Sequence, residues 1–316
     1  TGGMTALVAL FILGPRRGRF HDFDTGEPLE VPNPMPGHSV SLQMLGTLIL
    51  WFGWYGFNPG STMLLDTEHY DTLAALAAIN TTLAAGVGGI SALVINMLLL
   101  NMITGETTFD LTYTMNGALS GLVAITAGCG VVEPWAALII GFVAGFLYLF
   151  SSWTLIWYRL DDAVDAVPVH LVNGVWGLIS TGTFASPLRL EQGFGITDHA
   201  GLVYGKGASL FGAQYVAAFF IIGWILVTMA PFFFTLEAYG LFRTNVLSEV
   251  QGLDADFAGG FVSDTEGVQL NSDEVKYIQE KIRERLETAA IPDAETEAVL
   301  DDIPLQMEVS FRYPTQ

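Results

Sequence analysis

The sequence is short of charge, nearly without cysteine, and has no Lys or Arg at all between Arg19 and Arg159. Only 14% of its 316 residues are charged, against about a quarter in a soluble domain. A soluble surface that long with no Lys or Arg would be unusual, so this stretch must largely face lipid or protein. The single Cys129 rules out an internal disulfide framework and any paired-cysteine metal site. Four of the five histidines, His21, His38, His69 and His199, lie in polar connectors without ligand spacing, and no Gly-rich stretch carries a P-loop lysine, so neither a metal nor a nucleotide cofactor is expected. No segment offers the basic footprint that nucleic acid requires, and no nucleophile stands beside a base, which argues against an enzyme. The net charge of −20 is unevenly placed: 16 of the 32 acids lie from Gly240 onward, against six of the 12 basic residues.

What is present is apolar sequence. The hydrophobic set reaches 51%, and runs long enough to cross a bilayer cover Val40 to Phe57, Leu73 to Met102, Thr114 to Val132, Trp135 to Trp157, Val167 to Ala185 and Ser209 to Tyr239. An initial run ending near Leu13 is too short to cross. It is read as the end of a helix that begins upstream, and it lacks the charged start and cleavage pattern of a signal peptide. Arg16, Arg17 and Arg19 follow it directly, and the positive-inside bias makes that loop cytoplasmic. Alternation then puts Arg159 and the tail from Arg243 inside as well. Gly117-x-x-x-Gly121 and Gly141-x-x-x-Gly145 place small residues on single helix faces, the pattern of closely packed helices in lipid.

Leu50 to Ser61, LWFGWYGFNPGS, resembles a signature of the Amt/Mep/Rh ammonium transporters. The likeness extends through Asn80-Thr81-Thr82, Asn116-Gly117-Ala118-Leu119, Ile125-Thr126, Asp161-Asp162, Val167-Pro168-Val169-His170 and Gly174-Val175-Trp176-Gly177, and runs to about Asp254. The resemblance implies an all-α integral membrane bundle in which residues 1–239 form a partial membrane domain. They would comprise the second inverted repeat plus the eleventh span, with the N-terminal half missing. It further implies a homotrimer in the lipid bilayer, a plasma-membrane location with the C-terminus cytoplasmic, and ammonium or ammonia as substrate with methylammonium as analogue.

Candidate site residues come from chemistry and resemblance together. His170 is an ionisable group inside an apolar span, unfavourable enough to be a functional candidate. Burial disfavours the imidazolium, leaving one donor and one acceptor nitrogen; a packed histidine bridging helices is the competing account. Trp54 and Phe57 share a helix face, where aromatic rings attract a desolvating ammonium, though an aromatic belt would also explain them. By resemblance His170 is one of a twin-histidine pair, Phe57 a gate, Trp54 a lumen ring and Ser61 part of an outer recruitment site. Asp162 and Asp165 flank the start of the His170 span, where a carboxylate suits a helix N-terminus; they and Asn80 are expected to support structure or transport. Arg243, Glu249, Gly252 and Asp254 resemble a regulatory segment in the tail, residues 240–316. A helix is expected over 275–286 and disorder beyond Ala290. Transport is the leading function; an ammonium sensor signalling through the tail, or an inactive truncated copy, are the alternatives.

Overall fold

The computed structural model of the chain describes residues 1–22, 25–37, 39–62, 68–244, 249, 267–269 and 308–310, with 68–71 and the last two segments as backbone only. It divides into two units, Thr1–Arg243 and Thr244–Gln316. In the second, β1 (Gly267–Gln269) pairs antiparallel with β2 (Glu308–Ser310), Gly267 opposite Ser310. No strand was anticipated there. Gly252, Asp254 and the expected helix over 275–286 lie outside the described residues.

The first unit is helical: α1 (Gly2–Leu13), α2 (Val40–Phe57), a 3₁₀ turn (Pro59–Thr62), α3 (Glu68–Thr104), α4 (Leu111–Thr126), α5 (Pro134–Trp157), a π-helical turn (Val167–Val172), α6 (Asn173–Phe184), α7 (Pro187–Phe194), a second 3₁₀ turn (Leu202–Tyr204) and α8 (Ser209–Ala238). Among the described residues four segments are long and apolar enough to cross a membrane, Val40–Thr62, Thr72–Thr104, Pro134–Trp157 and Ser209–Ala238.

The other two expected spans depart from a single long helix. Instead of running from Thr114 to Val132, α4 starts at Leu111, where the Asp110 carboxylate accepts the Thr112 N–H. It ends at Thr126, because Asn80 takes the carbonyls of Cys129 and Val132, each at 2.8 Å, and turns the backbone away. The segment after Ala166 opens with a π turn before α6. Its far end is closed by a bridge between Val132 and Ala185 and by the Ser186 N–H donating to Val131 O. In the connector beyond it, α7 was not anticipated.

Packing centres on α3. A Cβ on Gly121 would lie 2.2 Å from the Ala84 carbonyl, and one on Gly141 would lie 2.3 Å from the same oxygen. One turn on, Gly117 and Gly145 approach the Gly88 carbonyl in the same way. Both small-residue pairs therefore press α4 and α5 against α3, with the Ala92 and Ser91 side chains also meeting Gly117 and Gly145, and such close approach is how helices gain contact in lipid. Around this seam Ile125, Val132 and Ile140 are fully buried. A second cluster joins α1 to α8 through Met4, Val8 and Ile225.

One end of this unit is tied by charge. Arg16 grips Asp161 through Nε at 2.7 Å, Nη2 at 2.8 Å and its backbone N–H at 2.9 Å. Arg243 donates to Leu13 O and Pro15 O, fastening the end of the first unit to the end of α1. Burial would raise the Asp161 carboxyl, but the bonds from Arg16, with Arg19 nearby, outweigh it and hold it below the usual carboxylate value. A depressed folded-state value contributes stability above the unfolded value of about 3.9 and loses it as pH falls through the folded one. Asp161→Asn should therefore cost about 2 kcal/mol at pH 7, the scale of hydrogen bonds to a charged group. The penalty should begin to shrink as pH falls below about 3.9 and be gone only below the lower folded-state value, as read by thermal unfolding in detergent; a penalty that does not shrink with falling pH contradicts the ion pair's role.

Candidate functional site

The site grows from two elements. The last turn of α2 carries Trp54 and Phe57, three residues apart and so on one face; their rings meet edge to face, centroids 6.0 Å apart. The indole N–H of Trp54 donates to Thr126 Oγ1 at 2.9 Å, and that hydroxyl donates to Leu122 O at 2.8 Å. The Trp54 ring is thereby fixed to the end of α4. Below it, Asn58 is buried and donates to Thr81 Oγ1 at 2.9 Å, joining the end of α2 to α3.

His170 comes from the other element, the π turn. Such turns add a residue to the hydrogen-bonded ring and often mark functional sites. Its start is anchored from below: the Asp162 carboxylate accepts the Val167 N–H at 2.7 Å. Asp165 takes a left-handed backbone, φ 55°, and its carboxylate accepts from Tyr148 at 2.8 Å, Ser152 at 2.9 Å and Asn116 at 3.3 Å. From the side, α1 crosses so closely that a Cβ on Gly3 would lie 2.3 Å from Leu171 N.

These elements border an open cavity of about 500 Å³ lined by Trp54, Phe57, Thr126 and His170, of which Phe57 and His170 are exposed, with apolar walls from Val123, Leu178, Ala218 and Ile222. An imidazole, two threonines and two aromatic rings are its chemistry, suited to a small N–H donor and ill suited to a hydrated ion.

Of the residues singled out in the sequence, the structure brings Trp54, Phe57 and His170 to this cavity. Ser61 lies on the exposed 3₁₀ turn, where its hydroxyl donates to Phe57 O and closes α2. Asp162, Asp165 and Asn80 hold backbone or side chains of the bundle and do not line the cavity, and Arg243 is engaged at its far end. Glu249 lies in the second unit. Thr126 was not singled out beyond its place in the Ile125-Thr126 motif. The signal available was a hydroxyl at the close of an apolar run, one turn after Leu122.

Comparison with known proteins places this chain in a family. The model of the Ammonium Transporter Family matches residues 1–261. The chain is 39% identical over 259 residues to Ammonium transporter 3 of Dictyostelium discoideum, covering 82% of this chain and 57% of that one. It is 38% identical over 283 residues to Ammonium transporter 1 member 3 of Solanum lycopersicum, covering 86% and 59%. The crystal structure of Saccharomyces cerevisiae Mep2 superposes with a TM-score of 0.64 at 27% identity, over 77% of this chain and 52% of that one. A solved Sensor Amt Protein superposes with a TM-score of 0.64 at 28% identity, over 81% and 57%. The chain thus spans somewhat over half the length of the curated relatives it matches.

Proposed function

This chain belongs to the Ammonium Transporter Family, and on that premise we propose that it moves ammonium or ammonia across a membrane through a passage bordered by Trp54, Phe57 and His170. The observation that carries the proposal is the meeting of those three side chains, from elements more than a hundred residues apart in sequence, on one largely apolar cavity. In this account the Arg16 loop and the tail are cytoplasmic, the membrane is the plasma membrane, and the working assembly is a homotrimer.

The physical sequence runs from the α2 end inward. A dehydrating ammonium is favoured at the Trp54 and Phe57 faces by cation–π attraction, about 0.5 to 2 kcal/mol, near the Ser61 hydroxyl. A bare cation is too unfavourable to continue between Val123, Leu178 and Ile222, so the proton leaves before or at His170. Neutral ammonia then finds in His170 one nitrogen to donate to and one to accept from. Pairing ammonia without holding it tightly lets it pass.

Two measurements test this. Expressed as the full-length protein in cells stripped of their own ammonium carriers, it should take up labelled methylammonium; binding without flux would instead favour a sensor, the role named for one of its structural neighbours. Trp54→Leu should raise the half-saturating concentration about tenfold, the loss of about 1.4 kcal/mol of attraction at the mouth, with the maximal rate less affected. An unchanged half-saturation would remove the ring from the recruiting step.

A further inference from the structure

We propose that Asn173 is a positioning residue for His170: its side-chain amide, by holding the Pro168 carbonyl, keeps the turn that carries the histidine in π register and so keeps the imidazole on the cavity. The inference rests on the assignment of His170 to the passage made above.

Asn173 is the first residue of α6 and is fully buried. Its Nδ2 donates to Pro168 O at 2.9 Å, and its backbone N–H donates to His170 O. It therefore grips the turn both before the histidine and at the histidine's own carbonyl. A π turn is poorly stable by itself and survives where something outside the backbone ladder supports it. Taking out its extra residue would turn α6 by about 100° relative to the segment before the turn.

Both flanks are pinned, so that rotation must fall on the turn itself. Downstream, a Cβ on Gly177 would lie 2.7 Å from Ala124 O, and Trp176 donates to Ile140 O at 3.1 Å. Upstream, Asp162 holds Val167, and Asp165 is held by three donors from α4 and α5. Loss of the Asn173 amide leaves the Pro168 carbonyl buried without that partner, and the relief open to the backbone is to rewind 167–172. The imidazole of His170 would move with it.

The test compares Asn173→Leu, close in volume and without a donor, with His170→Ala and wild type in the full-length protein. Asn173→Leu should lower the maximal methylammonium uptake per inserted molecule by about tenfold or more, as misplacement of a working group does. The half-saturating concentration should stay within about twofold, because the mouth is untouched. In the same membranes, the rate at which diethyl pyrocarbonate modifies His170, read by mass spectrometry, should differ from wild type. The proposal is overturned if uptake falls only in proportion to inserted protein while His170 in the inserted fraction reacts at the wild-type rate. If the leucine variant does not reach the membrane, Asn173→Ala removes the same donor without bulk and is read by the same two criteria. Unchanged uptake in His170→Ala sinks the passage assignment itself; lost uptake there, with Asn173→Leu at wild-type values on both readings, sinks only the positioning role.

Discussion

His170→Ala is expected to reduce methylammonium uptake by about ten- to a hundredfold per inserted molecule. The range follows from leaving the N–H groups of a desolvated ammonia without a partner, about 1 to 3 kcal/mol. The cavity around position 170 offers few polar side chains besides it: Val123, Leu178, Ala218 and Ile222 carry none, the Thr126 hydroxyl is already engaged with Trp54 and Leu122, and Thr1 supplies the other hydroxyl. His170→Gln, which keeps a donor and an acceptor on a longer arm, should retain more uptake than alanine. Equal uptake by wild type and His170→Ala, at equal amounts of protein in the membrane, would mean that the imidazole plays no part in conduction.

The second large effect is on folding. Gly121→Leu should leave little correctly assembled protein. A Cβ at that position would lie 2.2 Å from Ala84 O and 2.8 Å from Ala84 C, backbone atoms that no rotamer change can move. Gly141 presses on the same carbonyl from α5, so α3 cannot retreat from one neighbour without striking the other. Overpacking alone costs about 1 to 3 kcal/mol, and separation of α4 from α3 would also forfeit the packing around Ile125 and Ile140. Gly86→Leu is the control, since a Cβ there meets nothing within 4 Å. Size-exclusion profiles in mild detergent should show a disperse Gly121→Leu and a compact Gly86→Leu; two matching, compact profiles would contradict this packing.

The parts of this molecule that sequence made legible are those governed by local chemistry. The bounds of α2 could be read to the residue, because an apolar run lies between the Ser39 cap and the Asn58-Pro59 stop. His170 stood out because an ionisable ring inside an apolar run is rare, and Trp54 and Phe57 because of their helical spacing. What stayed hidden depends on contacts distant in sequence. The end of α4 is set by the Asn80 side chain reaching two carbonyls from α3, and the apolar character of Gly128 to Val132 gives no hint of it. The π turn is supported by a buried asparagine that hydropathy treats as a blemish in a span. Thr126 matters because an indole from another helix reaches it. For Ser61 the resemblance implied a role at the mouth, and its observed bond closes the turn after Phe57.

The account depends most on His170 facing a passage that small solutes enter. In the full-length protein with its other accessible cysteines replaced, and with Cys129 buried, His170→Cys can be probed with a small uncharged thiosulfonate, with Phe142→Cys, an exposed apolar position on α5, as control. The account predicts that the cysteine at 170 is labelled much faster than the one at 142 and is protected by added ammonium. Labelling at the rate of the control, indifferent to ammonium, would contradict it.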